Sequence, residues 1–132
     1  MQMRIQSELP AATELVIQRT IGAAIEVHRA LGPGLLEGVY SDAMAIELEF
    51  RDLKFARGCR YLLSYRGKPL RKQQVDLVIE NVLVVELKAI ENLHPVHEAQ
   101  LISYLRASKI RAGLLLNFNK LLLKEGIKRI VN

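Results

Sequence analysis

Gln74-Val75-Asp76-Leu77-Val78-Ile79, a break at Glu80-Asn81, then Val82-Leu83-Val84-Val85-Glu86-Leu87-Lys88-Ala89: this stretch decides the fold. Both halves are rich in β-branched and aliphatic residues, and each has the length of a strand. The short polar break predicts two neighbouring antiparallel strands. Alternation groups Val75, Leu77 and Ile79 on one face of the first, with Gln74, Asp76 and Val78 on the other. In the second, Leu83, Val85 and Leu87 oppose Val84, Glu86 and Lys88. Burying both apolar faces on one side then sets the register parity, and Asp76, Glu86 and Lys88 share the other side. Cross-strand neighbours lie about 5 Å apart, close enough for two carboxylates to share a metal ion.

The flanking sequence supplies the rest of an α/β layout. Upstream, Arg60 to Tyr65 reads as a strand and Arg66-Gly67-Lys68-Pro69 as a turn. Downstream, a loop at Glu91 to His94 leads into a helix from about Pro95 to Ser108, with proline suited to the first helical position. Ala112 to Asn117 is an apolar strand expected to be buried on both faces, and Ile127 to Val131 a last strand. Towards the N-terminus, Thr13 is the expected cap of a helix whose stripe is Ile17, Ile21, Ala24, Ile25 and His28. Gly32-Pro33-Gly34 ends it, and a second helix runs from about Leu35 to Leu53 with a stripe of Leu36, Tyr40, Ala43, Met44 and Leu48. The order predicts an antiparallel meander entering a crossover helix. Residues 1–12 are read as a tail and 13–132 as one domain.

Composition narrows the function classes. The 132 residues are half hydrophobic and a quarter charged, as in an ordinary folded domain. Apolar runs are too short to span a bilayer, and Met1 to Pro10 lacks the apolar stretch of a signal peptide, so no membrane partner is expected. The single cysteine, Cys59, has no internal disulfide partner, which suits a cytoplasmic location. The net charge of +5 attracts polyanions, and nucleic acid is the expected partner. With no Trp and few aromatics, no stacking platform for single strands is evident. Lys54, Arg57, Arg60, Arg66, Lys68, Arg71 and Lys72 gather around the first hairpin. They read either as a phosphate track towards Asp76 or as solvated strand ends, where Lys discourages edge pairing.

The Asp76, Glu86 and Lys88 set suits hard-metal chemistry. Mg²⁺ (or Mn²⁺) prefers oxygen ligands and keeps several waters, so two carboxylates and a substrate phosphate suffice. Lys88 would position or deprotonate a water, or stabilise charge in the transition state. The plainer alternative is a surface ion pair of Glu86 with Lys88. Val78 and Val84 flank these charges and a helix is expected to cover part of the face, which counts against it.

Asp76 followed by Glu86-Leu87-Lys88 resembles the PD-(D/E)XK nuclease signature, with Val75 where that signature has Pro. Gly34-Leu35-Leu36-Glu37-Gly38-Val39-Tyr40 resembles the naming motif of the GxxExxY protein family. The resemblance extends through Ile21 to His28, Val85 to Ala89 and His97 to Leu101, and covers roughly Thr13 to Val131. It implies a PD-(D/E)XK, restriction-endonuclease-like core, a small mixed sheet flanked by helices. It also implies a divalent metal held by Asp76, Glu86 and the backbone carbonyl of Leu87, in a nuclease acting on DNA or RNA. A binding or regulatory protein on the same fold is the alternative.

Other residues have two readings each. Glu37 resembles an acidic residue that completes the metal site, or is a first-turn Glu complementing the helix dipole. Gln100 and Tyr104 share a helix face and resemble the QxxxY motif of RecB-like exonucleases, where the Gln approaches the site; otherwise they are a buried Tyr with a polar neighbour. Tyr40 on the face of Glu37 is more naturally core. His28 is a core or site-adjacent histidine, and His97 shares the face of Gln100, within reach of phosphate. His94 is expected to be loop, and the histidine spacing matches no zinc pair.

Overall fold

The computed structural model describes residues 9–132. Helix α1 (Ala11–Leu31) starts two residues before Thr13. Pro10 stands at its N-cap and accepts the first backbone bond from Glu14 at 3.1 Å, while Thr13 is buried and does no capping. The expected threonine cap is therefore corrected: proline, with its preset φ, starts the helix instead. Gly32 ends it at φ 68°, its N–H donating to the His28 carbonyl at 2.7 Å.

Helix α2 (Glu37–Phe50) begins later than the apolar pattern suggests. Leu36 is extended and 80% exposed, so it lies outside the stripe that buries Tyr40, Met44 and Leu48. Ile25 in α1 is likewise exposed, whereas Ile17, Ala24 and His28 are buried.

The sheet has five strands in chain order: β1 (Phe55–Tyr65), β2 (Lys68–Ile79), β3 (Leu83–Lys88), β4 (Ala112–Asn117) and β5 (Ile127–Val131). All pairings are antiparallel except β3 with β4, which the crossover helix α3 (Pro95–Ser108) connects. This is an open mixed sheet with helices on both faces. Helix α3, β4 and β5 match their expected bounds. The first hairpin is longer than expected. Its turn is the two residues Arg66 and Gly67, both left-handed at φ 52° and 74°, the shape a tight hairpin requires. Pro69, expected in the turn, pairs with Ser64 inside the ribbon.

Two hydrophobic clusters hold the layers together. On one face, Leu77, Ile79, Leu83, Val85, Leu87, Leu114 and Leu116 pack against Ile17, Val27, Tyr40 and Met44 of α1 and α2. On the other, Val78, Val84 and Leu115 pack against Leu101, Tyr104 and Leu105 of α3. Gly113 lets α3 come this close, since a Cβ there would sit 2.9 Å from the Leu101 side chain. Val75 belongs to this second cluster and not with Leu77 and Ile79, which corrects the simple alternation. The β1–β2 ladder runs Arg57↔Leu77 then Cys59↔Val75 and skips the Gly58/Asp76 position, where Gly58 is left-handed at φ 63°. The register is the same on both sides of that position, and the register shift of this ladder falls further out, between Leu62 and Ser64. Among the described residues, no helix is long and apolar enough to cross a membrane.

Candidate metal centre

The irregularity at Asp76 is where the site forms. Strand β3 pairs with β2 only from Ile79↔Leu83 to Leu77↔Val85. One step further the strands part, and two carboxylates take over the hydrogen bonds. Asp76 N–H donates to Glu86 Oε1 at 2.8 Å, and Leu87 N–H donates to Asp76 Oδ2 at 2.8 Å. Each carboxylate is thus fixed through one oxygen. The other oxygen of each accepts no hydrogen bond from the described residues.

The Leu87 carbonyl faces the same gap. A strand residue's N–H and C=O point to the same neighbour, and successive residues alternate. Leu87 directs its N–H at Asp76, while the carbonyl of Lys88 faces the other way and accepts from Phe118 N–H at 2.8 Å.

The electrostatics mark a cluster of partly buried, mutually repelling carboxylates. Glu86 is only 6% exposed. Burial first, then the neighbouring Asp76 charge, push its carboxyl up to about 7, against the pull of Lys88. Glu37, at the first residue of α2, stays accessible to solvent, yet partial burial and Asp76 raise its carboxyl as well, and Lys88 lowers it. Tyr104 on α3 is buried, and burial, Glu86 and Asp76 all raise its hydroxyl. His97 is held below its ordinary value by partial burial, Lys88 and His94. Asp76, Glu86, Lys88, Glu37 and Tyr104 therefore sense one another's charge across the ends of β2, β3, α2 and α3.

The donor set fits a hard divalent cation. Its candidate ligands are all oxygen: the outward oxygens of Asp76 and Glu86 and the Leu87 carbonyl. Among the described residues no three or more His, Cys, Asp or Glu side chains converge tightly enough to hold a metal. Glu37 therefore stands outside a three-carboxylate cluster, because it begins a helix across from the sheet. Water and substrate oxygen would complete the coordination, as Mg²⁺ tolerates.

The remaining candidates divide. Gln100 is exposed, one turn from Tyr104 on the α3 face whose other members, His97 and Tyr104, feel Lys88 and Glu86; the structure gives it no bond to the carboxylates. His97 Nδ1 accepts from His94 N–H at 3.0 Å, and His97 N–H donates to the His94 carbonyl at 2.9 Å, so His94 opens α3. Tyr40 is a core residue: its hydroxyl donates to the Gly32 carbonyl at 2.6 Å and its ring stacks on Phe118 at 4.6 Å. His28 is held by the Lys120 carbonyl, 2.7 Å from Nε2, in the wall of a cavity of about 520 Å³ beside α1. Tyr40 ties the Gly32 turn to Phe118, His28 ties α1 to the segment after β4, and neither bonds the carboxylates.

One supporting residue escaped the sequence reading. Asn117, fully buried and paired with Lys88, clamps the chain leaving β3: its amide donates to the Ile90 carbonyl at 2.9 Å, and its Oδ1 accepts from Ile90 N–H at 3.1 Å. A polar residue ending the apolar Ala112–Asn117 run was the available signal.

Residues 14–130 match the sequence model of the PD-(D/E)XK nuclease superfamily. No curated protein and no solved structure matches the chain.

Proposed function

The chain belongs to the PD-(D/E)XK nuclease superfamily, and from that premise we propose that it is a metal-dependent nuclease hydrolysing phosphodiester bonds. The observation that carries this reading is the parted end of β2 and β3. There two carboxylates are each fixed through one oxygen and leave the other free, and burial and the neighbouring Asp76 charge raise Glu86 to about 7. Asp76, Glu86 and the Leu87 carbonyl would hold Mg²⁺ or Mn²⁺, which would supply Lewis-acid polarisation of the phosphate and a more acidic water. Lys88, whose charge is felt by Glu86 and Glu37, would orient a water or meet the developing negative charge. Glu37 and Gln100 border the opening, from α2 and α3, and position substrate. The finer placement in the GxxExxY family, on Gly34 to Tyr40, belongs to this reading, as do a single unit over 13–132 and a cytoplasmic setting, which suits the free Cys59.

The test is direct. Purified protein is incubated with single- and double-stranded DNA and RNA and Mn²⁺ or Mg²⁺. Cleavage is expected with metal and not with EDTA, and Asp76→Ala is expected to lower it by about 10³-fold or more. Lys88→Ala is expected to lower kcat by about 10²-fold with little change in KM, because its contribution grows in the transition state. Cleavage that survives Asp76→Ala removes the site from the reaction. A Lys88→Ala enzyme that turns over at the wild-type rate at saturating substrate removes Lys88 alone.

A further inference from the structure

Between Lys54 and Val75 the chain carries seven Lys and Arg residues and no Asp or Glu. The whole chain has a net charge of only +5, so everything outside this segment is net acidic. The fold turns that segment into a projecting element. Strands β1 and β2 pair out to Tyr65↔Lys68, whereas β3 accompanies β2 only along Leu77 to Ile79. Beyond Asp76 the sheet is two strands wide. Cys59 and Tyr61 still lean on the α3 cluster, and past them every residue from Ser64 to Lys72 is exposed.

Beyond its base, the cations of this ribbon have no carboxylate partner among the described residues. Arg57, near its base, is paired with Asp42 at 2.7 Å. Arg60, Arg66, Lys68, Arg71 and Lys72 are exposed and have no carboxylate partner among the described residues. The register pairs Arg60 with Gln74 and Leu62 with Lys72, which puts Arg60 and Lys72 on one face and Arg71 on the other, with Arg66 and Lys68 at the tip. Positive charge on both faces and the tip suits a polyanion that surrounds the ribbon on two sides. A hydrogen-bonded ribbon also meets its partner with its backbone already ordered, which lowers the entropic cost of binding.

We infer that this ribbon is a docking arm that lies in the major groove of duplex DNA while the Asp76–Glu86 end meets the backbone of the same duplex. The groove of B-form DNA is about 12 Å wide and admits a two-stranded ribbon, whereas the corresponding groove of A-form RNA is too narrow. Single strands call for rows of stacking aromatics, and beyond Gly58 the ribbon has only Tyr61 and Tyr65. A second copy of the arm is repelled by its own charge. Eight residue steps separate Asp76 from Lys68, a reach of about 26 Å, or roughly seven to eight base pairs. The arm rests on the nuclease reading only for what happens at Asp76; its binding is measured separately.

The experiment is fluorescence anisotropy across a salt series, in EDTA to prevent cleavage. The probe is a labelled DNA duplex several turns long, compared with duplex RNA and single-stranded DNA of equal length. Wild type is expected to prefer duplex DNA by at least about tenfold, with a steep salt dependence. The variant R66Q/K68Q/R71Q/K72Q alters only exposed residues, and circular dichroism checks its fold. It is expected to lose about 10²- to 10³-fold in affinity at moderate salt and to flatten the logarithmic salt slope by roughly 3 to 4. The control R106Q/K109Q/K124Q, away from the ribbon, is expected to change the slope by less than about 1. Unchanged binding by the arm variant, an equal loss in the control, or no preference for duplex DNA overturns the arm. Arm-dependent binding without Mn²⁺-dependent cleavage supports the arm and removes the nuclease reading; cleavage with arm-independent binding does the reverse.

Discussion

Strands β1 and β2 are one continuous hairpin with two unlike halves. In the inner half, Leu77 and Ile79 are fully buried and Phe55 packs against the same cluster. In the outer half, Leu62 and Leu70 are 50% and 57% exposed among unpaired cations. Both halves are antiparallel and hydrogen-bonded, with a register shift between Leu62 and Ser64 in the outer one, so the main difference lies in what the side chains meet. The inner half is held by packing from both layers, and its stability serves to fix Asp76. The outer half contributes charge and reach. The boundary falls at Gly58 and Asp76, where the ladder is interrupted and the N–H of Asp76 turns to Glu86.

Truncating a leucine on each side of that boundary tests the contrast most severely. Leu77→Ala leaves a cavity between the sheet and α1 and α2 and is expected to cost 2–5 kcal/mol, roughly. Leu70→Ala removes a side chain that already faces solvent and is expected to stay within about 0.5 kcal/mol. Urea unfolding of both variants measures the difference. If Leu70→Ala destabilises as much as Leu77→Ala, the outer half is covered by something in solution, and its description as a free arm fails.

The boundary itself has a pH signature. The folded-state carboxyl of Glu86 titrates near 7, well above an unfolded glutamate at about 4.3. The fold therefore binds that proton more tightly than the unfolded chain does. Its stabilising contribution is complete below the unfolded value and is lost as pH rises through about 7. Without metal, wild type is expected to lose up to about 3 kcal/mol between pH 5 and pH 8 from this group. Glu86→Gln keeps an acceptor for the Asp76 N–H and removes the charge. Its stability curve is expected to be flatter over that range, and above wild type at pH 8. A variant that unfolds more easily than wild type at pH 8 would mark Glu86 as a structural partner of Lys88. Divalent cation should restore wild-type stability at pH 8 and leave the variant unchanged.

The same boundary separates what was legible in the sequence from what was not. Strands β3 and β4 and helix α3 are written in apolar runs and in Pro95, features that packing enforces, and they fall where the pattern puts them. Asp76 and Glu86 also meet, but through carboxylate bonds to the backbone of the opposite strand where the ladder has ended, which face parity does not foresee. The outer half of the hairpin carries Lys68-Pro69-Leu70-Arg71-Lys72, with no alternation to read, because neither face is buried. Only pairing with β1 makes it a strand. Val75 packs on the α3 side, next to a ladder position where Gly58 of the neighbouring strand is left-handed, which no local period records. Leu36 reads as part of a stripe although the turn before α2 carries it outward. The approach of Glu37 to the carboxylates depends on how α2 crosses the sheet. The grip of Asn117 on Ile90 joins residues 27 apart.

The smallest expected effect isolates the arm from the core most cleanly. Lys72 sits opposite Leu62 in the outer ladder, is exposed, and has no carboxylate partner among the described residues. Lys72→Gln removes one charge and keeps a long polar side chain on the same backbone. With no packing lost, the unfolding midpoint is expected to stay within the equivalent of about 0.5 kcal/mol. If Lys72 touches one phosphate, the logarithmic salt slope for duplex DNA flattens by about 0.9, and affinity at moderate salt falls by about tenfold or less. The stability change and the slope change are read on the same preparation. A slope that stays put while stability falls would mean that Lys72 belongs to the fold and not to the partner. A slope change as large as that of the fourfold variant would mean that one lysine carries the contact and the other cations are only solvated. The expected result lies between: one charge, one phosphate, and a hairpin whose outer half does not report to its inner half.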